Sequence, residues 1–343
     1  MIKASVLAHL TALALGVFSL VTAAGSNEPT VHIFGNSLTD IGRSKHLTLG
    51  LVPSSDFWDG RFSNGKVMSE YIGPLLGYAT ENWATGGATA NNDYYSYSSF
   101  LGLHVPSTQD RINGVREGLA DGMFPAGSNN MAYLEIGSND LFAVADDLVS
   151  GSLSISDFTE TLSDIIADQI AQLVKMNFRY VISNNMPAVY ITPSVIDQGQ
   201  VELSIRVGAE YNRLLAEKTA GLRRGSSDAV VGLFDVDGVF RVTASSPRIL
   251  HTLGITNSTS ACLDTFGNNT GSSSENTDPR STCLDQDQFY FLDGLHPNRV
   301  IHRVLGYYYS EYVQALNRGS SFEPTEQNLL GLIHRFGLDR PFS

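Results

Sequence analysis

Thr-Val-His-Ile-Phe-Gly-Asn-Ser-Leu-Thr-Asp, residues 30–40, joins a short apolar run to a glycine and a serine. The apolar run predicts a buried β-strand over 30–34, and Gly35 permits a tight turn directly after it. Open α/β sheets build their sites at the carboxyl ends of their strands. We therefore expect Ser37 to be displayed at a sheet edge, although an ordinary strand-to-loop turn shows the same pattern.

Further strands and helices alternate along the rest of the chain. Apolar runs predict buried strands over 131–136, 180–183 and 230–235, with a weaker candidate over 79–84. Helical spacing of apolar residues predicts helices over 66–76, 155–176, 201–222 and 300–316, with Pro297 at the start of the last. This alternation predicts an α/β fold, a mainly parallel sheet covered on both faces, in a single domain over 24–343.

The first 23 residues are typical of a secretory signal peptide. Lys3 is their only charge, a mostly apolar run follows it, and small residues precede the expected cleavage point. An uncleaved membrane anchor is the alternative, because the run is nearly long enough to span a bilayer. We expect cleavage, and hence a secreted protein without stable membrane insertion.

The overall charge bears on the class of partner. The chain has 22 Lys and Arg against 35 Asp and Glu, which gives a formal net charge of −13. Phosphate binding requires clustered basic residues, so this balance argues against nucleic acid as a partner. A neutral or cationic substrate fits this acidic charge better than an anionic one. We also expect the protein to be a monomer.

Residues 256–285 are rich in Ser, Thr, Asn and Gly and are expected to form a surface excursion of the domain. They contain the only two cysteines, Cys262 and Cys283, which would form a disulfide in an oxidising compartment. N-glycosylation sequons begin at Asn257 and Asn268. These features agree with export from the cell.

Two segments could supply hydrogen-bond donors to an anion that forms near Ser37. Gly86 and Gly87, in Asn-Trp-Ala-Thr-Gly-Gly, let the backbone approach a ligand closely. Asn139, in Gly-Ser-Asn-Asp after the strand over 131–136, could donate from its side-chain amide. Taken alone, the glycine pair is typical of a flexible turn, and the segment at Asn139 is typical of an Asx-turn or a helix cap.

A third segment, Asp-Gly-Leu-His-Pro-Asn over 293–298, pairs a carboxylate with a histidine. Asp293 can reach one ring nitrogen of His296 and leave the other free to act as a base. A helix cap is the alternative for this segment. Motifs for metal ions and nucleotides, such as His-Glu-x-x-His or Gly-x-x-x-x-Gly-Lys followed by Ser or Thr, are absent from the sequence, so no metal or other cofactor is expected.

The order of these segments resembles the GDSL or SGNH hydrolases, from about Val31 to about Leu316. Gly-Arg-Phe-Ser-Asn-Gly, residues 60–65, is also similar to members of this family. The resemblance implies a three-layer α/β/α domain of flavodoxin-like type, with a five-stranded parallel sheet. It also implies hydrolysis of esters without a metal.

Carried over to this chain, the resemblance implies that Ser37 is the nucleophile and that Asp293 and His296 complete a triad. The oxyanion would be bound by the Ser37 N–H, the Gly87 N–H and the Asn139 side chain.

The glycine donor is open to two assignments, and one position departs from the family's usual pattern. Gly86 remains an alternative to Gly87 as the glycine donor. Asn36 stands where the family usually has aspartate, which affects local hydrogen bonding rather than the triad.

The resemblance leaves the substrate open. The sequence resembles both the secreted fungal acetylesterases of plant-wall carbohydrate and the branch of lipases, lysophospholipases and thermolabile hemolysins. The ester would therefore be a small molecule, an acetylated polysaccharide or a lipid. An acyltransferase with the same triad and a non-catalytic extracellular binding protein are the alternatives.

Overall fold

The structure, a computed structural model, describes residues 28–96, 104–121, 129–226, 228–263 and 283–340. The predicted signal peptide and the sequon at Asn268 lie outside these ranges.

Five strands form a central sheet in the order β2-β1-β3-β4-β5, and every neighbouring pair is parallel. The strands are β1 (Thr30–Gly35), β2 (Ala79–Asn82), β3 (Met131–Glu135), β4 (Tyr180–Asn184) and β5 (Val230–Phe234). The predicted fold class is confirmed, and each predicted strand, including the weaker candidate at 79–84, is present with ends shifted by two residues at most.

Helices connect the strands and cover both faces of the sheet. In the described ranges they are α1 (Arg43–Leu47), α2 (Ser69–Leu76), α3 (Thr108–Ala120), α4 (Ser138–Ala143), α5 (Ala145–Ser150), α6 (Ile155–Lys175), α7 (Pro193–Asp197), α8 (Val201–Gly225), α9 (Val236–Ser245), α10 (Pro247–Leu253), α11 (Arg299–Asn317) and α12 (Glu326–Phe336). Pro297 does not start α11 as predicted. It forms an antiparallel bridge with Phe291, and Asn298 caps the helix by accepting the Ile301 N–H.

The sheet is buried on both faces because alternate strand residues enter two different cores. Met131 and Tyr133 pack with residues of α2, α9, α11 and α12, whereas Ala132 and Leu134 pack with α3, α6 and α8. A strand that is buried on both sides needs a continuous apolar run, which is the pattern that the sequence shows.

The strand order changes direction between β1 and β3. The first connection leads from β1 to β2 on one side of β1, and the next crosses back to β3 on its other side. At such a reversal the carboxyl ends of the two strands border a crevice where ligands bind. Ser37 follows β1 and Asn139 follows β3, so the topology directs both to the same crevice.

A second, two-stranded sheet lies in and after the predicted excursion. Its strands, β6 (Asn257–Ala261) and β7 (Phe289–Phe291), are parallel. The sequence analysis did not predict β6, because β7 supplies backbone partners that composition cannot show. Asn257 is half-buried at the start of β6, and its side-chain oxygen accepts the N–H groups of Thr259 and Ser260.

Cys262 and Cys283 are joined by a disulfide, with Cα atoms 5.2 Å apart. Cys262 follows β6 directly and packs with Leu263 and Leu292 in a small apolar cluster. In the described part of the chain, no helix combines the length and apolar character that crossing a membrane requires.

Replacing both cysteines by alanine should lower the free energy of unfolding by about 3 kcal/mol, the chain-entropy value for a loop of this length. The bond closes a sequence separation of 21 residues. Urea denaturation of the double variant and of the oxidised protein gives the difference. Equal stability of the two would contradict the prediction, and the reduced wild type serves as the control.

Candidate active site

Ser37, His296 and Asp293 form a continuous chain of hydrogen bonds. Ser37 Oγ lies 2.8 Å from His296 Nε2, although the two residues are 259 positions apart. His296 Nδ1 lies 2.8 Å and 3.0 Å from the two carboxylate oxygens of Asp293. With Nδ1–H donated to the carboxylate, Nε2 carries a lone pair toward the serine hydroxyl, the arrangement that a general base needs.

The turn over 293–296 positions the histidine. Asp293 Oδ1 accepts the N–H groups of Leu295 and His296 at 2.8 Å and 2.6 Å, which makes the segment an Asx-type turn. The carboxylate thus closes the turn and also contacts the imidazole. The alternative of a helix cap does not apply to Asp293, because the helix that follows is capped by Asn298.

Phe62 packs against the imidazole from another part of the chain. Its ring centroid lies 5.1 Å from that of His296. Ser63 Oγ donates to the Pro297 carbonyl at 3.3 Å, and Asn64 Oδ1 accepts the Arg299 N–H at 2.7 Å. The segment over 60–65 is therefore bonded to the residues that follow His296, which explains why it accompanies the other motifs.

The two glycines after β2 differ in what their N–H groups contact. The Gly86 N–H donates to Asp40 Oδ2 at 2.8 Å, and a Cβ atom at Gly86 would collide with the Phe62 ring. Gly87 has a φ of +83°, which favours glycine, and its N–H has no hydrogen-bond partner in the described ranges. The Ser37 N–H is likewise without a partner there.

Asn139 lies at the start of α4, where its side chain reaches the glycine loop. Its Nδ2 donates to the Ala88 carbonyl at 2.8 Å. An amide nitrogen carries two hydrogens, so this bond orients the group and leaves one hydrogen for another acceptor. The structure thus brings Asn139 to the same loop as Gly87.

Two buried carboxylates were not predicted to have a part in the site. Asp40 accepts hydrogen bonds from Gly42, Arg43, Ser44 and Gly86. Asp40 ends the segment over residues 30–40. An aspartate just before a helix is the sequence signal that could have identified it.

The second of these carboxylates, Asp140, accepts the Ala90 N–H at 3.0 Å. This bond joins α4 to the chain after the glycine loop, and burial raises the pKa of the carboxyl to about 7. Because Asp140 directly follows Asn139, the sequence was equally compatible with a helix cap. Nothing in the local sequence indicates the hydrogen bond to the distant Ala90.

Asn36 faces a third buried carboxyl group, that of Glu135 at the end of β3. Asn36 Nδ2 donates to Glu135 Oε1 at 3.3 Å, and Asn36 Oδ1 accepts the Leu38 N–H at 3.0 Å. Burial is the main cause that raises the pKa of Glu135 to about 7. An amide therefore suits position 36 in this chain, because an aspartate there would bring two carboxyl groups into contact.

Replacing Glu135 by glutamine should remove a pH-dependent part of the stability. The folded pKa of about 7 lies above the ordinary value of 4.5, so the folded state keeps a proton that the unfolded chain releases in between. This contribution is complete below the unfolded pKa and is lost as pH rises through the folded pKa. Chemical denaturation should show wild type gaining stability relative to Glu135→Gln from about pH 8 down to about pH 5. A difference that stays constant over this range would contradict the prediction.

Several known proteins are similar in sequence to this chain. The chain is 26% identical over 282 residues to the thermolabile hemolysin of Vibrio parahaemolyticus, covering 79% of this chain and 60% of that protein's length. It is 22% identical over 316 residues to the GDSL esterase/lipase APG of Arabidopsis thaliana, covering 81% of this chain and 88% of that protein.

A solved structure, a carbohydrate acetylesterase from Sinorhizobium meliloti, aligns with a TM-score of 0.47 and 13% identity, over 84% of this chain and 100% of that one.

A family model described as GDSL-like lipase/acylhydrolase matches residues 31–308. This range contains all five strands of the central sheet together with Ser37, Asp293 and His296. The chain therefore belongs to the GDSL-like lipase/acylhydrolase family.

Proposed function

We propose that the protein is a secreted serine carboxylester hydrolase that forms an acyl-enzyme on Ser37. The observation that carries the proposal is the 2.8 Å contact between Ser37 Oγ and His296 Nε2, with Asp293 bonded to the opposite ring nitrogen. The disulfide between Cys262 and Cys283 supports export, because such bonds persist in oxidising compartments.

In the first half of the reaction, His296 Nε2 takes the Ser37 proton while the serine oxygen attacks the ester carbonyl carbon. Asp293 keeps the imidazole in the required tautomer and stabilises its charged form. The tetrahedral intermediate then expels the alcohol, which receives the proton from His296. The acyl group remains bonded to Ser37 Oγ.

The negative oxygen of the intermediate is bound by the N–H groups of Ser37 and Gly87 and by the Asn139 amide. The bond between Gly86 and Asp40 supports Gly87 over Gly86, because the Gly86 N–H is already donated. Loss of one donor of this kind typically lowers the rate about 100-fold or more.

Water completes the cycle by attacking the acyl-enzyme. His296 removes a proton from this water and returns it to Ser37 Oγ as the acid leaves.

The substrate is either an acetylated carbohydrate or an ester of a lipid or lysophospholipid. The names of the curated relatives, a hemolysin and a plant esterase/lipase, support the lipid class. A series of p-nitrophenyl esters of rising acyl length, run beside an acetylated sugar and a lysophospholipid, separates the two. Highest kcat/KM on acetate favours carbohydrate, and highest kcat/KM on long acyl chains favours lipid.

Ser37→Ala should abolish nearly all hydrolysis of p-nitrophenyl acetate and leave the unfolding transition unchanged, because it removes one hydroxyl at a half-buried position. A fluorophosphonate should label wild type at Ser37 and leave the variant unlabelled. Ser152→Ala, at an exposed serine, is the matched control and should react like wild type. A Ser37→Ala variant with a near-normal rate would rule out this nucleophile.

Asn36→Asp should lower kcat/KM roughly tenfold or more at neutral pH, because a second carboxyl would face Glu135 beneath the nucleophile turn and displace it. Adding Glu135→Gln places an amide donor opposite the new carboxylate, so the contact again has one donor and one acceptor, with their roles exchanged. The double variant should therefore recover most of the lost kcat/KM. Glu135→Gln alone should stay close to wild type. A double variant no better than Asn36→Asp would show that this contact does not position Ser37.

A further inference from the structure

Five exposed apolar side chains lie close together in sequence beside the proposed nucleophile. We call this set the apolar rim, and its members are Ile41, Leu47, Leu49, Leu51 and Trp58. Leu49 is 93% exposed and Leu51 is 59% exposed. Gly60 lies directly against Gly42 and Lys45, so the two ends of this segment are adjacent in space. Exposed apolar residues scattered singly need no explanation, whereas apolar residues exposed together mark an interaction surface.

The rim is attached to the site at both ends. At one end, Asp40, three residues after Ser37, holds the start of α1 through the N–H groups of Gly42 and Arg43. At the other, Phe57 contacts Phe62, the residue that packs on His296. A surface that binds the rim would therefore lie beside the catalytic groups.

The loop that carries the two most exposed leucines is held by hydrogen bonds. The Gly50 N–H donates to the Lys45 carbonyl at 2.7 Å, and the Leu51 N–H donates to the Thr48 carbonyl at 3.2 Å. Thr48 Oγ1 accepts the Val52 N–H at 2.8 Å. The exposure of the leucines is therefore built into an ordered loop.

Leu49 is also an unusual choice for its backbone conformation. Its φ of +54° lies in the left-handed region, where glycine and asparagine are favoured over leucine. An exposed leucine at this position contributes no burial to the folded chain. A partner that covers it would account for both the strain and the exposure.

The charge around the rim indicates the chemistry of that partner. The chain has a net charge of −13, yet residues 41–62 carry three basic residues, Arg43, Lys45 and Arg61, against Asp56 and Asp59. Lys45, which directly precedes the loop, has no ion pair within the described ranges. Aliphatic side chains next to a free ammonium suit a phospholipid surface, with acyl chains below and phosphate groups at headgroup level.

The same side chains fit a sugar less well. Carbohydrates stack on aromatic rings, and four of the five rim residues are aliphatic.

We propose that the apolar rim docks the protein on the surface of aggregated phospholipid, so that the catalytic site meets its ester at a lipid–water interface. This inference rests on the proposed ester hydrolysis and assigns its substrate to lipid esters in aggregates. Leu49 and Leu51 insert among the acyl chains, and Lys45 contacts the phosphate groups.

Binding can be measured apart from hydrolysis in the Ser37→Ala protein, which leaves vesicles intact. Co-sedimentation with phosphatidylcholine vesicles should show binding, and adding Leu49→Asn and Leu51→Ser should reduce the partition coefficient roughly tenfold or more. Asparagine tolerates a positive φ, so the loop should keep its conformation. Val149→Ser with Ile205→Ser removes two exposed apolar side chains elsewhere and should leave binding unchanged.

Absence of vesicle binding by the Ser37→Ala protein would overturn the proposal, as would equal binding by the rim variant. A rim variant that instead loses a dimer seen by light scattering, with no change in vesicle binding, would assign the rim to self-association and also overturn it.

Hydrolysis separates this proposal from the function on which it rests. With Ser37 intact, the rim variant should hydrolyse soluble p-nitrophenyl acetate like wild type but act roughly tenfold more slowly on phosphatidylcholine vesicles. A wild type inactive on every ester would overturn the proposed function, while vesicle binding would still decide on the rim. Equal rates of wild type and rim variant on vesicles would overturn the rim alone.

Discussion

The carboxylate of Asp40 is the contact on which the geometry of the site depends. It is fully buried and accepts N–H groups from the start of α1 and from Gly86, so one side chain joins the loop after β1 to the loop after β2. Buried N–H groups without such an acceptor are costly, so the two loops have one favourable arrangement. In that arrangement the N–H groups of Ser37 and Gly87 keep no protein partner in the described ranges.

The parallel sheet explains why distant motifs meet. Because β1, β2 and β3 are parallel neighbours, the loops after them end at the same edge. His296 reaches this edge from beyond β7, outside the central sheet, and therefore needs its own supports. Asp293 fixes the ring from one side, and Phe62 packs against it.

Several departures from the predictions involve a partner that is distant in the chain, and others involve helices too short to show a pattern. Strand bounds were predictable because burial on both faces requires continuous apolar runs. β6 was missed because its Asn, Ser and Thr residues gain their ladder only from β7, and the bonds of Asp140 to Ala90 and of Glu135 to Asn36 also cross large separations. Short helices such as α5 and α7 escaped because a segment of five or six residues shows too little periodicity.

The sequence by itself determined the parallel α/β fold and selected the four segments that meet at the site, since apolar periodicity and local turn chemistry are properties of neighbouring residues. Only the tertiary structure decided which glycine N–H is already donated, why Asn36 suits this chain, and that the leucines after α1 are exposed beside the site. Each of these depends on what lies opposite a residue in space. That information is absent from local sequence, because burial and hydrogen-bond partners are set by the packing of distant elements.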